Sequence, residues 1–376
     1  MAAPQSCVRE TWGAGAATFT GRHPRVHGME ELKVGIAGYG LAGAVFHAPL
    51  IAATPGLRVA AIVTTNPQRA QRAGREHPGA SVVGSVEVML EEGVDLVVVA
   101  TPNRHHAAVA LAALEAGAAV VVDKPLAPSA RDGRRVVEAA QRHGRPLSVF
   151  HNRRWDGDFL TVRRLVEEGR LGDVVRLESR FERWRPTVDA GRWRELADPA
   201  DAGGLLFDLG SHLVDQAIAL LGPPVSVFAE VEARRPGAAV DDDVFVALEH
   251  PGGARSHLWA SMVAGALGPR FRVLGLEGAY VKEGLDPQEA ALKEGARPGD
   301  PGWGREPPSL HGRLVAGEAQ ETVETAPGAY ERYYAGMVEA VRDGAAPPVA
   351  ASDGLRVVEV LEAARRSAAT REVVVL

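Results

Sequence analysis

From Leu32 to Phe150 short apolar runs alternate with helical stretches. Leu32–Ala37 (LKVGIA) is apolar and β-branched. Gly38, Gly40 and Gly43 follow, then a helical stretch through Ala53. Val59–Val63 reads as a second strand. Asn66-Pro67 reads as an N-cap with proline at the first helical position. Val94–Ala100 is a continuous apolar run, as expected of a strand buried on both faces. A helix from about His105 to Ala116, a strand at Ala119–Asp123, a helix at Ser129–Arg142 and a strand at Leu147–Phe150 complete the pattern. This alternation predicts right-handed βαβ units and a parallel sheet.

Beyond Phe150 the pattern changes. A helix from about Phe159 to Glu168 leads into strands at Val174–Phe181, Val225–Ala233, Asp243–Glu249, Arg255–Met262 and Arg270–Leu276. Strands without helices between them predict a mostly antiparallel sheet. Its apolar face is expected to lie under helices, one of them from about Asp208 to Leu221. Lys282–Pro308 is polar and rich in Gly and Pro, and reads as a long excursion. Helices at Tyr330–Arg342 and Asp353–Arg371 precede a final strand-like Glu372–Leu376. The expected fold is α/β. A doubly wound Rossmann domain spans 29–150, and an α+β domain with a large, mostly antiparallel open sheet spans 151–376. The terminal helices are expected to pack back onto the first domain.

Composition narrows the function. With 42 Lys plus Arg and 48 Asp plus Glu the formal charge is −6, a poor match to the basic stripe of a nucleic-acid binder. No apolar run is long enough for a membrane span. The sole cysteine, Cys7, makes no intrachain disulfide and no Cys-rich zinc site, which fits a reducing cytoplasm. Residues 1–28 are rich in Ala, Gly, Thr and Pro and lack an apolar h-region. They read as a disordered tail, with Met29 a natural start.

The chemistry begins at Gly38-Tyr39-Gly40-Leu41-Ala42-Gly43. A lone GxGxxG is a weak signal, and a plain βα turn is the alternative. Here it follows a strand and opens a helix, the context that dinucleotide binding requires. Gly38 permits the tight turn, Gly40 lets a pyrophosphate approach, and Gly43 allows close helix–strand contact. The helix N-terminus offers free N–H groups to the anion. NAD enzymes usually place an acid about 20 residues on, against the ribose 2′-hydroxyl. No acid appears between Gly43 and Glu76. Thr64, Thr65 and Arg69 stand there instead, with Arg72 beyond, and such a set accepts a 2′-phosphate. NADP is therefore expected over NAD. A solvated helix face is the other reading of the arginines.

Ligands of such sheets bind outside the strand carboxyl ends. Two of these are conspicuous, Thr101-Pro102-Asn103-Arg104-His105-His106 and Asp123-Lys124-Pro125. With the glycine loop, and with His151-Asn152-Arg153-Arg154-Trp155-Asp156 and the run Gly203–His212 (GGLLFDLGSH), they resemble the Gfo/Idh/MocA family of NAD(P)-dependent oxidoreductases. The HNRRWDGDFLT run, the ERWRPTVDAGRWRE segment and Pro301-Gly302-Trp303-Gly304 most resemble that family's NADP-dependent scyllo-inositol dehydrogenases. One departure is Asp123, where the family usually carries Glu before its catalytic lysine. The resemblance implies cofactor contacts from Thr101, Pro102, Asn103, His106, Lys124 and Pro125, and a homodimer or homotetramer built through the open sheet.

Asp208 and His212 share a helix face at i, i+4. An aspartate there can orient a histidine, the pair can chelate a metal, or Asp208 can simply cap the helix. Third and fourth metal ligands are lacking, so no metal is expected. The resemblance makes His212 the acid/base, Lys124 its partner at the substrate oxygen and Asp208 the orienting or hydroxyl-binding acid. Oxidation of a carbinol fits this set, since a histidine moves the proton and an ammonium steadies the alkoxide. Asn152, Arg153 and Trp155 form a candidate wall for a cyclic polyol or sugar, with Lys124, Asp208 and His212. An exposed interdomain linker is the alternative. Trp193 is a further candidate, and Tyr330, Tyr333 and Tyr334 lie on a helix where an aromatic stripe is more often core. A different sugar substrate, or a non-catalytic cofactor sensor, would share this fold.

Overall fold

The computed structural model describes residues 30–188 and 201–376. The expected tail 1–28 and Trp193 lie outside the described residues. Residues 31–376 form one unit.

The first sheet contains β1 (Leu32–Ala37), β2 (Leu57–Val63), β3 (Ser81–Val83), β4 (Leu96–Val99), β5 (Ala119–Asp123) and β6 (Leu147–Phe150). Their order is β3-β2-β1-β4-β5-β6, and every pair is parallel. The helices between them are α1 (Ala48–Ala53), α2 (Pro67–Glu76), α3 (Val86–Glu91), α4 (His106–Glu115) and α5 (Ala130–His143). A wide helical turn, Ala42–His47, precedes α1, and the Ala48 N–H bonds Gly43 O across it. Local chemistry sets the boundaries. The Asn66 side chain accepts from Arg69 N at the start of α2, and Ser129 accepts from Asp132 N at the start of α5. Gly144 ends α5 in the left-handed region that glycine favours. β4 is buried along its length because helices cover both faces. The short β3 and α3 escaped the pattern reading. A three-residue partly exposed strand and a six-residue helix carry too little period.

The second sheet contains β7 (Val174–Glu182), β8 (Ser226–Glu232), β9 (Asp243–Glu249), β10 (Arg255–Ser261), β11 (Phe271–Gly275), β12 (Ala279–Lys282), β13 (Gly312–Ala316), β14 (Ala319–Val323) and β15 (Val374–Val375). The order is β14-β13-β12-β11-β7-β10-β9-β8-β15. Among the described residues only its central β10–β7 pair is parallel. Five further helices accompany it: α6 (Gly157–Glu167), α7 (Ser211–Leu221), α8 (Gln288–Glu294), α9 (Glu331–Asp343) and α10 (Ala351–Thr370). Phe159 and Val162 of α6, Leu213 and Val214 of α7, and Val357 and Leu361 of α10 pack on Leu177, Phe181, Val246 and Val273 of one sheet face. The other face carries Arg180 over the Trp259 ring at 4.0 Å, and Phe245 against Trp259 at 5.2 Å.

The terminal helices return to the first sheet. Glu362 of α10 accepts from Ala130 N at 2.9 Å, and Ser148 Oγ donates to Val349 O at 2.9 Å. Tyr330, Tyr333 and Tyr334 are fully buried in the core of the first domain. His47 Nδ1 lies 2.6 Å from Tyr334 OH in that seam, and burial pushes the His47 ring down to about 4, against the pull of Asp123. As pH falls below about 6.5 the unfolded chain takes this proton and the folded chain does not until about pH 4. Stability should therefore drop by roughly 3 kcal/mol from this group over that window. Thermal unfolding of His47→Phe should show a smaller loss between pH 7 and pH 4 than the unchanged chain; equal losses would contradict the assignment.

Candidate active site

The strand order reverses between β1 and β4, and the glycine loop sits at this reversal. Gly38 has φ 102°, and a Cβ there would lie 2.6 Å from Ala100 O. A Cβ on Gly43 would lie 2.1 Å from Gly38 O. These two glycines are required by the protein itself. Gly40 is different, because its Cβ would meet only Arg69 Nη1, at 3.8 Å. The space before Gly40 is open, with a guanidinium at its edge, which fits a dinucleotide phosphate. Leu41 is half exposed beside it and Ala42 opens the wide turn. Tyr39 is buried, its hydroxyl donating to Glu76 Oε2 at 2.7 Å, so it ties the loop to the end of α2.

Thr64 and Thr65 end β2. Thr64 Oγ1 accepts from Asn66 N at 3.3 Å, and Arg69 N is taken by Asn66. Arg72 pairs with Glu76 at 2.8 Å, whereas Arg69 holds its guanidinium toward Gly40. Hydroxyls and a cation thus stand at the strand end, with no carboxylate on the segment between Gly43 and Glu76.

The loops after β4 and β5 are bound to each other. His106 is buried, with Nδ1 2.8 Å from Pro125 O and Nε2 3.0 Å from Thr101 O. It braces Thr101-Pro102 against Lys124-Pro125, whose peptide bond is cis. Asn103 Nδ2 donates to Asp201 O at 2.7 Å, and Arg104 pairs with the Asp201 carboxylate. These contacts tie the loop after β4 to the second domain. Asn103, Lys124, Pro125, Gly204, Phe207 and Asp208 line one cavity.

Asp208 and His212 sit where a wide turn, Leu206–Gly210, runs into α7. Asp241 starts this segment, its carboxylate accepting from Leu206 N at 2.7 Å. A Cβ on Gly204 would lie 2.1 Å from Asp241 Oδ1, which accounts for the glycine before the helix. Lys124 Nζ donates to Asp208 Oδ1 at 2.6 Å and to Asp208 O at 2.7 Å. The sequence spacing predicts an aspartate that serves the histidine. In the structure the widened turn advances less per residue than an α-helix, and the carboxylate meets Lys124 instead. His212 Nδ1 is buried without a hydrogen-bond partner among the described residues. Burial, then the charges of Lys124 and Arg153, hold its ring well below the usual histidine range. Lys124 is nevertheless brought to the Asp208–His212 segment from 84 residues away in the sequence. No group of three His, Cys, Asp or Glu side chains suited to a metal gathers among the described residues.

The turn after β6 is buried rather than an exposed linker. Asn152, Arg153 and Arg154 are each under 10 % exposed. Asn152 makes no side-chain hydrogen bond among the described residues. Arg153 is engaged, pairing with Glu289 of α8 and with Asp156 at 3.3 Å. Trp155 stands edge-on to Tyr333 with centroids 5.6 Å apart, which places it against the core. Glu289 was not legible in the sequence. It lies 136 residues from Arg153, inside the polar excursion, with no motif around it. Arg183, just beyond β7, was also missed. Burial depresses its guanidinium, and Glu289, Arg153 and Asp208 are among the charges around it.

A reversed parallel sheet, a glycine loop at the reversal and a lysine–aspartate pair at the neighbouring strand ends define a dinucleotide-dependent oxidoreductase. The family models agree. Residues 32–151 match the NAD-binding Rossmann fold of the oxidoreductase family, and residues 163–376 match its C-terminal alpha/beta domain. The chain belongs to the Gfo/Idh/MocA oxidoreductase family. It is 37% identical to the NADP(+) scyllo-inositol 2-dehydrogenase IolW of Bacillus subtilis, over 93% of this chain and 97% of that protein. It is 42% identical to the oxidoreductase YdgJ of Escherichia coli, over 91% and 98% of the two chains. The solved structure of the Bacillus subtilis oxidoreductase yvaA superposes with a TM-score of 0.87 at 37% identity, covering 94% of this chain and all of that one.

Proposed function

We propose that the protein is an NADP-dependent dehydrogenase acting on a carbinol of a cyclic polyol, with scyllo-inositol or its 2-keto form as the first substrate to test. The observation that carries the reading is the Lys124–Asp208 pair at 2.6 Å in one cavity with Asn103 and Pro125, beside His212. The similarity to IolW supports the substrate and cofactor choice.

Gly38, Tyr39, Gly40, Leu41, Ala42 and Gly43 would carry the pyrophosphate. Thr64, Thr65 and Arg69 would take the 2′-phosphate. Thr101, Pro102, Asn103, Lys124 and Pro125 would border the nicotinamide half, with His106 bracing them. When bound, the cofactor supplies the hydride acceptor or donor. His212 takes the hydroxyl proton at Nε2 and returns it in the reverse direction. The Lys124 ammonium, steadied by Asp208, stabilises developing charge on the same oxygen. Asn152, with Arg153 and Trp155 behind it, would meet further hydroxyls. Because His212 is depressed, its neutral form persists below pH 6.5, and the acid limb of polyol oxidation is expected there.

Arg69→Ala should raise KM for NADP(H) by roughly tenfold or more and that for NAD(H) far less, since a charged hydrogen bond contributes about 1.5–3 kcal/mol. Steady-state kinetics with both cofactors decide this, and equal changes would contradict it. The open sheet face, centred on Trp259 and Phe245, is assigned to a homodimer or homotetramer. Trp259→Glu should shift the species seen by light scattering toward monomer. A cytoplasmic site of action belongs to the same reading, resting on the single Cys7. Among the described residues no helix is long and apolar enough to cross a membrane.

A further inference from the structure

A second buried imidazole, His151, lies beside His212. His151 has no exposed surface, and neither of its ring nitrogens has a hydrogen-bond partner among the described residues. Its ring lies 6.2 Å from that of His212 at an interplanar angle of 81°. His212 Nδ1 is buried and unpartnered as well. His151 Nε2 also lies 3.9 Å from Asp215 Oδ1. Asp215 is fixed in place, because Arg154 donates to it from Nε at 2.9 Å and from Nη2 at 2.7 Å, and also donates to Asp353 at 3.0 Å.

Buried polar atoms without partners are uncommon. Three of them here belong to two neighbouring imidazoles, one of them beside a pinned carboxylate. The rings are too far apart for a direct hydrogen bond and near enough for one bridging water. We propose that His151 is a positioning residue: it holds the proton of neutral His212 on Nδ1 by accepting its hydrogen bond through a water, and directs its own N–H at Asp215. This rests on the reading of His212 as the proton acceptor. Nε2 of His212 then stays bare for the substrate hydroxyl, and positive charge gained there is steadied through His151 by Asp215.

The surrounding charges are mixed. After burial, Lys124 beyond β5, Arg153 beyond β6, the neighbouring His151 and Arg270 before β11 all depress His212, and Asp208 precedes it in the turn that enters α7. His151 faces Asp215 of α7, Asp353 of α10, Arg154 and Lys124, and burial keeps it neutral. A neutral His151 that accepts a hydrogen bond raises the His212 pKa, whereas a charged one would lower it. The sign of the change on removal is therefore diagnostic.

The test is ring-nitrogen NMR of the full chain labelled at histidine, with His212→Asn to assign the signal. In the unchanged protein neutral His212 should carry its proton on Nδ1. In His151→Phe, or in His151→Leu if the first does not fold, the two tautomers should mix and the His212 midpoint should move to lower pH. His151→Gln, which keeps an acceptor and a donor, should restore the single tautomer. The apolar variant should also lower kcat roughly tenfold with KM for NADPH unchanged. An unchanged tautomer, or a midpoint that stays or rises, overturns the proposal. Absence of polyol turnover with the tautomer result intact would overturn the substrate reading instead.

Discussion

Lys124→Met is expected to lower kcat by on the order of a thousandfold while leaving NADPH binding nearly unchanged. Methionine keeps the length and apolar stem of lysine, so the packing around the side chain survives. What disappears is the ammonium that donates to Asp208 Oδ1 and to Asp208 O. Two consequences follow at the reacting oxygen. The developing alkoxide loses its cation, and the Asp208 carboxylate, no longer paired with Lys124, leaves its negative charge less balanced nearby. Both raise the barrier, and neither touches the glycine loop or Arg69. Single-turnover kinetics with a fluorescence titration of NADPH separate the effects. Retained turnover would remove Lys124 from the machinery, and lost NADPH binding would make it a cofactor residue only.

Gly43→Ala should be the most damaging single methyl in the first domain. Its Cβ would lie 2.1 Å from Gly38 O, and Gly38 already sits at φ 102° with Ala100 O close behind it. Neither side can give without rebuilding the loop. Strain of this kind typically costs about 1–3 kcal/mol. Because the loop is also the phosphate cradle, NADPH affinity should fall by roughly a hundredfold along with stability. Gly40→Ala makes the contrast, since its Cβ meets only the far end of a flexible arginine at 3.8 Å. Its thermal unfolding should match the unchanged protein while its affinity falls. Equal stability losses in the two variants would mean that the open space before Gly40 is not kept for a ligand.

The first domain was largely legible because its physics is local. β5 at Ala119–Asp123 and β6 at Leu147–Phe150 are apolar runs buried on both faces, and Ser129 and Asn66 announce the helices that they cap. The second domain was legible only where strands alternate cleanly, as in Asp243–Glu249. β14 reads AQETV and is exposed along most of its length, so no apolar period marks it. The excursion from Lys282 looked solvated, yet Lys282 is fully buried against Glu306 and Gln288 is fully buried in α8. Charges paired across a fold leave no trace in hydropathy. The residues of the candidate site were legible for the same reason that the loops were, as strand ends and helix starts. Their partners were not. Asp208 turns to Lys124 because a helical turn widens, and Arg153 finds Glu289 from a distant helix, neither of which spacing predicts.

The central claim is tested most directly by following nicotinamide absorbance with scyllo-inositol or its 2-keto form, each with NADP(H) and with NAD(H). Turnover is expected with at least one polyol of this type, with a clear preference for NADP(H). Turnover that prefers NAD(H), or none with any cyclic polyol or sugar in a panel, would contradict it.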